Sequence, residues 1–275
     1  MTEEERNSLT TWFDRYVDLF RDGTGLLPTA LELKRTHSLR VSDNARLIAR
    51  ALAMPEEEQH LAEGAGLVHD VGRFPQFAKY GSFRDADTVD HGAEGRRILE
   101  EQNLSFIRSS EERRNLFCAV EFHNRNQKDI PQDLTPGQSR VLHLIRDADK
   151  LDILELVLDS VDADGFRELP HMLPHIHLEG NVSRAVLDEA LTIRSVSMGT
   201  VSSLADFLVM LATWFYDLNY GPSRELACQR NIFFRLRGKL PDTDSIKKLF
   251  SGIDDYISAS RQERVQQHTL KGHTT

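Results

Sequence analysis

Thiols are scarce in this chain: its 275 residues include two cysteines, Cys118 and Cys228, with no C-x-x-C spacing between them. A disulfide framework is therefore not expected, and both thiols are read as reduced. No run of 18 apolar residues is present, so no membrane-spanning helix is expected. The opening stretch MTEEERNSLT is acidic where a secretory signal would be basic and then apolar, which points to a cytoplasmic protein. Positive charge is also in deficit. At a net charge of −9, nucleic acid and anionic membranes would be repelled at long range, and neither is expected as a partner, although a local basic pocket is allowed. Strand-like alternation is missing too, as are internal repeats and low-complexity linkers.

What remains is a helical chain of ordinary globular composition, 40% apolar and 28% charged. Leu9, Trp12, Phe13, Tyr16, Val17 and Phe20 form a helical stripe over 9–20, and a second helix is expected over about 29–52. After Met54-Pro55, the acidic trio Glu56 to Glu58 suits the positive end of a third helix that runs to His69. Its line Ala62, Ala65 and Gly66 is small-sided and would let another helix or a metal cluster approach. Residues 72–89 read as a loop that mixes aromatic and basic side chains, a candidate wall of a site. Helices follow at about 90–101, 110–124 and 137–160, the last apolar nearly all round as a central helix should be. Residues 162–180 break the pattern, and their His171, His175 and His177 are read as a plain loop more readily than as a metal site. Further helices are expected over 185–193, 202–219, 223–236 and 242–261, with a polar tail from Gln262. The expected fold is all-α and a single domain over 1–275, with a core at about 30–160 and a helical extension over 181–261 packed on it.

Chemistry concentrates in a few polar residues on apolar lines. The doublet His69-Asp70 lies in LVHDVGR, and His37, His91, His123 and Asp149 stand at spacings that could bring them to the same place. His37 shares its helical line with Leu33, Val41, Ala45 and Ile48, and His123 shares one with Leu116, Ala119 and Val120. Asp149 lies with Leu142, Ile145, Ile153 and Leu156. Imidazoles and carboxylates aimed inward are costly to bury unless they are paired or hold a metal. A mixed nitrogen and oxygen set without thiolate suits a catalytic iron, manganese, cobalt, nickel or zinc and argues against a structural zinc knot.

The order first His, His-Asp doublet, later Asp after an apolar run resembles the HD-domain superfamily of metal-dependent phosphohydrolases. The resemblance covers roughly residues 30–155. It implies that His37, His69, Asp70 and Asp149 hold a metal, and His91 and His123 fall where two-metal members carry two more histidines. On that pattern Asp70 bridges two divalent transition-metal ions, with His37, His69 and Asp149 on one and His91 and His123 on the other. Such a pair, about 3.5 to 4 Å apart, lowers the pKa of a bridging water and clamps the oxygens of an in-line displacement. Asp147 is the rival to Asp149, but it lies about 200° round the helix, and the family pattern selects Asp149. Arg73, three residues past Asp70, could grip phosphate oxygens bidentately where two-metal relatives often carry lysine. The alternative for Arg73 is a salt bridge to Asp85 or Asp87. Arg40 and Lys150 are weaker candidates for substrate binding.

The text of cyclic-dinucleotide, guanosine-tetraphosphate and deoxynucleotide-triphosphate hydrolases of the superfamily is missing. The expected activity is therefore hydrolysis of a phosphate ester or anhydride in a small phosphorylated metabolite, with nucleotides foremost. The alternative is a mixed-valence di-iron oxygenase of the same superfamily.

Overall fold

A computed structural model of the chain describes residues 1–164 and 176–271. The chain divides into two compact units, Met1–Asp152 and Ile153–Thr275. The described elements are helical, apart from one isolated backbone bridge between His177 and Ser203. His177 is exposed there, and His171 and His175 lie outside the described residues. Among the described residues, no helix is long and apolar enough to cross a membrane.

The first unit carries α1 (Glu3–Asp18), α2 (Thr29–Ala51), α3 (Glu56–Val68), α4 (Arg73–Tyr80), α5 (His91–Glu101), α6 (Ser110–Phe122) and the start of α7 (Pro136–Asp164). Helix α1 begins two turns before its apolar stripe. Thr2 accepts from the Glu5 amide while the Glu5 carboxylate accepts from the Thr2 amide, a reciprocal cap that periodicity alone does not reveal. Leu9, Phe13, Tyr16 and Val17 are buried, and the edge of Phe13 meets the ring of Phe74 at a centroid distance of 6.2 Å.

That contact explains one departure from the sequence reading. Residues 72–89 are not all loop: Arg73–Tyr80 is helical, and Asp85–Asp87 forms a single 3-10 turn. The eight residues of α4 are too few to be stable alone. They are held because Phe74 is buried against Phe13, Tyr16 and Phe20 of the first segment, which stabilises by roughly 1.5 to 3 kcal/mol. The Tyr16 hydroxyl adds a hydrogen bond to the carbonyl of Val71, 3.2 Å away.

Two glycines set close approaches beside the His-Asp doublet. A Cβ on Gly66 would lie 2.9 Å from Ser42 Cα, so α3 can press its small-sided line onto α2 only with glycine there. A Cβ on Gly72 would collide with the carbonyl of His91, so the turn after the doublet sits directly on the start of α5. Helix α7 is introduced by a second reciprocal cap between Thr135 and Gln138. Its Leu142, Leu144, Ile145, Ala148 and Leu151 are buried, as expected of a central helix.

In the second unit, α7 ends at Asp164, past the expected 160, and α8 (Arg184–Thr192) and α9 (Leu204–Thr213) follow. The single helix expected over 202–219 is α9 plus a 3-10 turn at Trp214–Asp217. The one expected over 223–236 is two, α10 (Gly221–Gln229) and α11 (Ile232–Lys239), because Asn231 adopts a left-handed conformation at φ 57°. Helix α12 (Asp244–Lys271) runs beyond the expected end at 261. Phe233 packs against Phe215 and Phe250, while Ser203 caps α9 by accepting from the Asp206 amide, and the buried Asp206 carboxylate accepts from the Ser183 and Ser202 amides.

Candidate metal centre

Six side chains picked out by the sequence meet in the first unit. His37 comes from the middle of α2, and His91 opens α5 behind the cap supplied by Asp90. His69 and His123 occupy equivalent places at the C-terminal ends of α3 and α6. Asp149 lies on α7. All four imidazoles and Asp70 are buried, and the Asp149 side chain is 18% exposed.

The shortest donor spacings define two groups joined by the Asp70 carboxylate, and His123 also lies near His69 and Asp149, which links the two groups directly. His37 Nε2 lies 3.2 Å from His69 Nε2, 3.1 Å from Asp149 Oδ1 and 3.7 Å from Asp70 Oδ2. His69 Nε2 is 3.7 Å from those same two carboxylate oxygens. On the other side, His91 Nε2 lies 3.1 Å from His123 Nε2, and the two are 3.3 and 3.6 Å from Asp70 Oδ1. Donors about 2.0 to 2.2 Å from a common ion stand roughly 3.0 to 3.5 Å from one another. Both groups have that spacing within a few tenths of an ångström.

The other face of every ring is already spoken for. His37 Nδ1 faces Asp152 Oδ2 at 2.6 Å and His91 Nδ1 faces Asp85 Oδ2 at 2.6 Å. His69 Nδ1 faces the Gly66 carbonyl at 2.7 Å, and His123 Nδ1 faces the Val120 carbonyl at 2.8 Å. All four partners only accept, so each Nδ1 donates, and a ring that is neutral presents an Nε2 lone pair to the cluster. Between His91 and His123, two such lone pairs and Asp70 Oδ1 then face one another without a proton to share. A cation relieves that arrangement, and the donor chemistry therefore fits a metal.

The charges are consistent with this reading. Burial opposes ionisation of Asp70, but the Lys34 ammonium and the neighbouring rings outweigh it and hold the carboxyl well below its ordinary range. Asp149 is held low against burial by His37 and His69. Burial and the Arg73 guanidinium push His91 down to about 4, so its ring is neutral at physiological pH. His37 is the exception: burial would lower it, but Asp149 and Asp152 together raise it.

Residues 35–154 match the family model of the HD domain. This segment is an HD domain. No curated protein and no solved structure matches the chain. HD domains are in general metal-dependent phosphohydrolases, and the histidine and aspartate clusters here can hold metal ions.

Around the HD-domain cluster, the structure adds residues that spacing left out. Asp152, three residues beyond Asp149 on α7, orients His37 and also receives Arg40 Nη2 at 3.0 Å. Arg40, a candidate for substrate, is thus ion-paired at the rim with its side chain 41% exposed. Asp85 receives His91, Arg73 Nη1 at 2.8 Å, Gln76 Nε2 at 2.9 Å and Asn124 Nδ2 at 3.2 Å. Arg73 Nη1 also donates to Gln76 Oε1 and to the Phe83 carbonyl, and Nε stands 3.6 Å from Asp70 Oδ1. Of the two roles open to Arg73, the structure displays the salt bridge to Asp85. Lys150 is buried on α7, and Asp147 is fully buried, off the cluster that Asp149 joins. Lys34, one turn before His37, donates to Asp70 Oδ2 at 2.9 Å. Asp85, Asp90 and His91 also lie close together, but His91 Nδ1 and Asn124 bind Asp85, and Arg125 pairs with Asp90.

Proposed function

We propose that this protein is a phosphohydrolase that uses two divalent transition-metal ions to cleave a phosphate ester or anhydride of a small metabolite, with nucleotides the first class to test. The observation that carries the proposal is the convergence of four imidazole Nε2 atoms and two carboxylates on two donor groups that share Asp70. His37, His69, Asp149 and Asp70 Oδ2 would hold one ion; His91, His123 and Asp70 Oδ1 would hold the other. When bound, the ions supply Lewis acidity toward phosphate oxygens and an activated water.

The protein's own residues do the remaining work. Asp152, Asp85 and the carbonyls of Gly66 and Val120 keep the Nδ1 protons in place, so the ring orientations are fixed before any ligand arrives. Arg73 ties Asp70 to Asp85 and so braces the carboxylate shared by both groups. With a substrate phosphate seated on the open side, Asp149, the least buried of the ligands, is the one nearest solvent.

The test is elemental analysis of the purified protein together with a panel of phosphorylated metabolites assayed under air and under nitrogen. Two ions per chain and release of inorganic phosphate or a nucleoside monophosphate at equal rates in both atmospheres are expected. One ion or fewer after supplementation removes the two-ion reading, and an absolute oxygen requirement moves the protein to the di-iron oxygenases.

A further inference from the structure

Two cations flank the shared carboxylate, and they are not equivalent. Arg73 commits Nη1 to Asp85, Gln76 and Phe83, while its Nε, 3.6 Å from Asp70 Oδ1, is buried without a hydrogen-bond partner among the described residues. Lys34 makes one hydrogen bond among the described residues, to Asp70 Oδ2, although its side chain is only 9% exposed and its ammonium carries three donors. The Lys34 nitrogen also lies over the Phe83 ring, 5.5 Å from its centroid, a cation–π contact that supplies no hydrogen-bond acceptor. A buried ammonium with a single acceptor is poorly satisfied.

The imbalance grows once the cluster is loaded. Asp70 Oδ2, the one acceptor of Lys34, is also 3.7 Å from both His37 Nε2 and His69 Nε2 and belongs to that donor group. A carboxylate that serves a divalent ion has less charge to offer an ammonium, and the ammonium then stands beside cations with donors unused. An anion that reaches both relieves the repulsion and supplies the missing acceptors. A phosphate oxygen does this.

We propose that Lys34 binds the substrate phosphate at the loaded cluster. The inference rests on the phosphohydrolase reading above. It gives Lys34 two opposed effects: it competes with the ions for Asp70, and it strengthens the hold on phosphate. A purely structural lysine that merely neutralises Asp70 has neither signature.

The experiment uses the full-length, ion-loaded protein, with inorganic phosphate as the probe in calorimetric titration and elemental analysis alongside. Lys34→Met, close in volume to the lysine stem, is expected to keep its full complement of ions and to hold them at several-fold lower free-ion concentration. Its phosphate affinity is expected to fall about ten- to a hundredfold, the range for a hydrogen bond to a charged group. Lys34→Gln, which keeps a donor for Asp70, should show the same loss, while Lys34→Arg should retain most of the binding. Phosphate affinity within about twofold of wild type in either neutral variant overturns the inference, as does a loss of ions in both. Wild type that loads its ions yet binds no phosphate defeats the phosphohydrolase reading itself. That outcome differs from failure at Lys34, which leaves wild-type binding intact.

Discussion

Replacing Asp85 with asparagine separates the two halves of the cluster, and the structure fixes what should be lost. Four donors converge on this carboxylate: His91 Nδ1, Arg73 Nη1, Gln76 Nε2 and Asn124 Nδ2. An amide keeps one acceptor oxygen and turns an NH2 toward the remaining donors. If the NH2 faces His91, the imidazole must move its proton to Nε2, the atom aimed at the cluster; if it faces Arg73, a charged hydrogen bond is lost. Hydrogen bonds to charged groups contribute about 1.5 to 3 kcal/mol, and with the Asp85 side chain 31% exposed the lower end applies. At roughly 2 to 4 °C per kcal/mol for a unit of this size, the ion-free melting temperature should drop by about 3 to 6 °C. The larger effect is on ions. Loss of a group that orients a ligating histidine typically weakens binding by about ten- to a hundredfold, and here only the His91 and His123 group meets Asp85 directly, the other being linked to it through Arg73 and Asp70. Dialysis against graded free ion followed by elemental analysis should find Asp85→Asn with one ion per chain where wild type holds two. Asp152→Asn should lose the other ion by the same reasoning. Both ions titrating as in wild type, or both departing together, would refute the division into two groups.

His123→Ala should likewise retain one ion, whereas Asp70→Ala should bind neither tightly because both groups share that carboxylate; equal ion content in the two variants contradicts the shared role. The ion-free protein should also lose stability in a defined acid window. Burial and Arg73 depress His91 to about 4 from an ordinary value near 6.5, so the unfolded chain binds the extra proton. The contribution is complete above about pH 6.5 and disappears as pH falls to about 4, at most about 3 kcal/mol, with His37, which is held high, acting in the opposite sense. Thermal melts of ion-free wild type and His91→Asn across that window should show a smaller acid loss in the variant, and identical slopes would count against it.

The candidate ligands were legible because helical geometry puts them on apolar lines, where a polar residue needs a reason. His37 and His123 are buried, as are Val41, Ala45 and Ile48 on the line of the first and Leu116, Ala119 and Val120 on that of the second, and Asp149 joins the cluster while Asp147 does not. The residues around them were harder to read for physical reasons. Lys34 and Asp152 stand three positions from His37 and Asp149, so the turn-to-turn signal existed, but such a pairing is indistinguishable in sequence from an ordinary salt bridge. Asp85 sits in a 3-10 turn with no period to place it, and its partners come from α4, α5 and α6. Helix α4 was invisible because what stabilises it is contact with aromatic rings far away in the chain. Its own eight residues have no capping side chain.

The two halves of the cluster repeat one construction. Each pairs a histidine that ends a helix and leans on the carbonyl three residues back with a histidine whose Nδ1 rests on a carboxylate: His69 with His37, and His123 with His91. Rings held this way keep Nε2 turned toward the cluster, and where two neutral rings and a carboxylate meet, as at His91, His123 and Asp70, acceptors facing one another would cost about 1 to 3 kcal/mol each. That cost is tolerable only if something bound to the folded state removes it. A ligand present at a hundred times its dissociation constant stabilises the fold by about 2.7 kcal/mol, which is comparable to the deficit in one half. The same rigidity would remove the reorganisation that ion binding otherwise needs, so tight loading and a lowered ion-free stability are expected together, and a variant that loosens the rings should weaken the first while relieving the second.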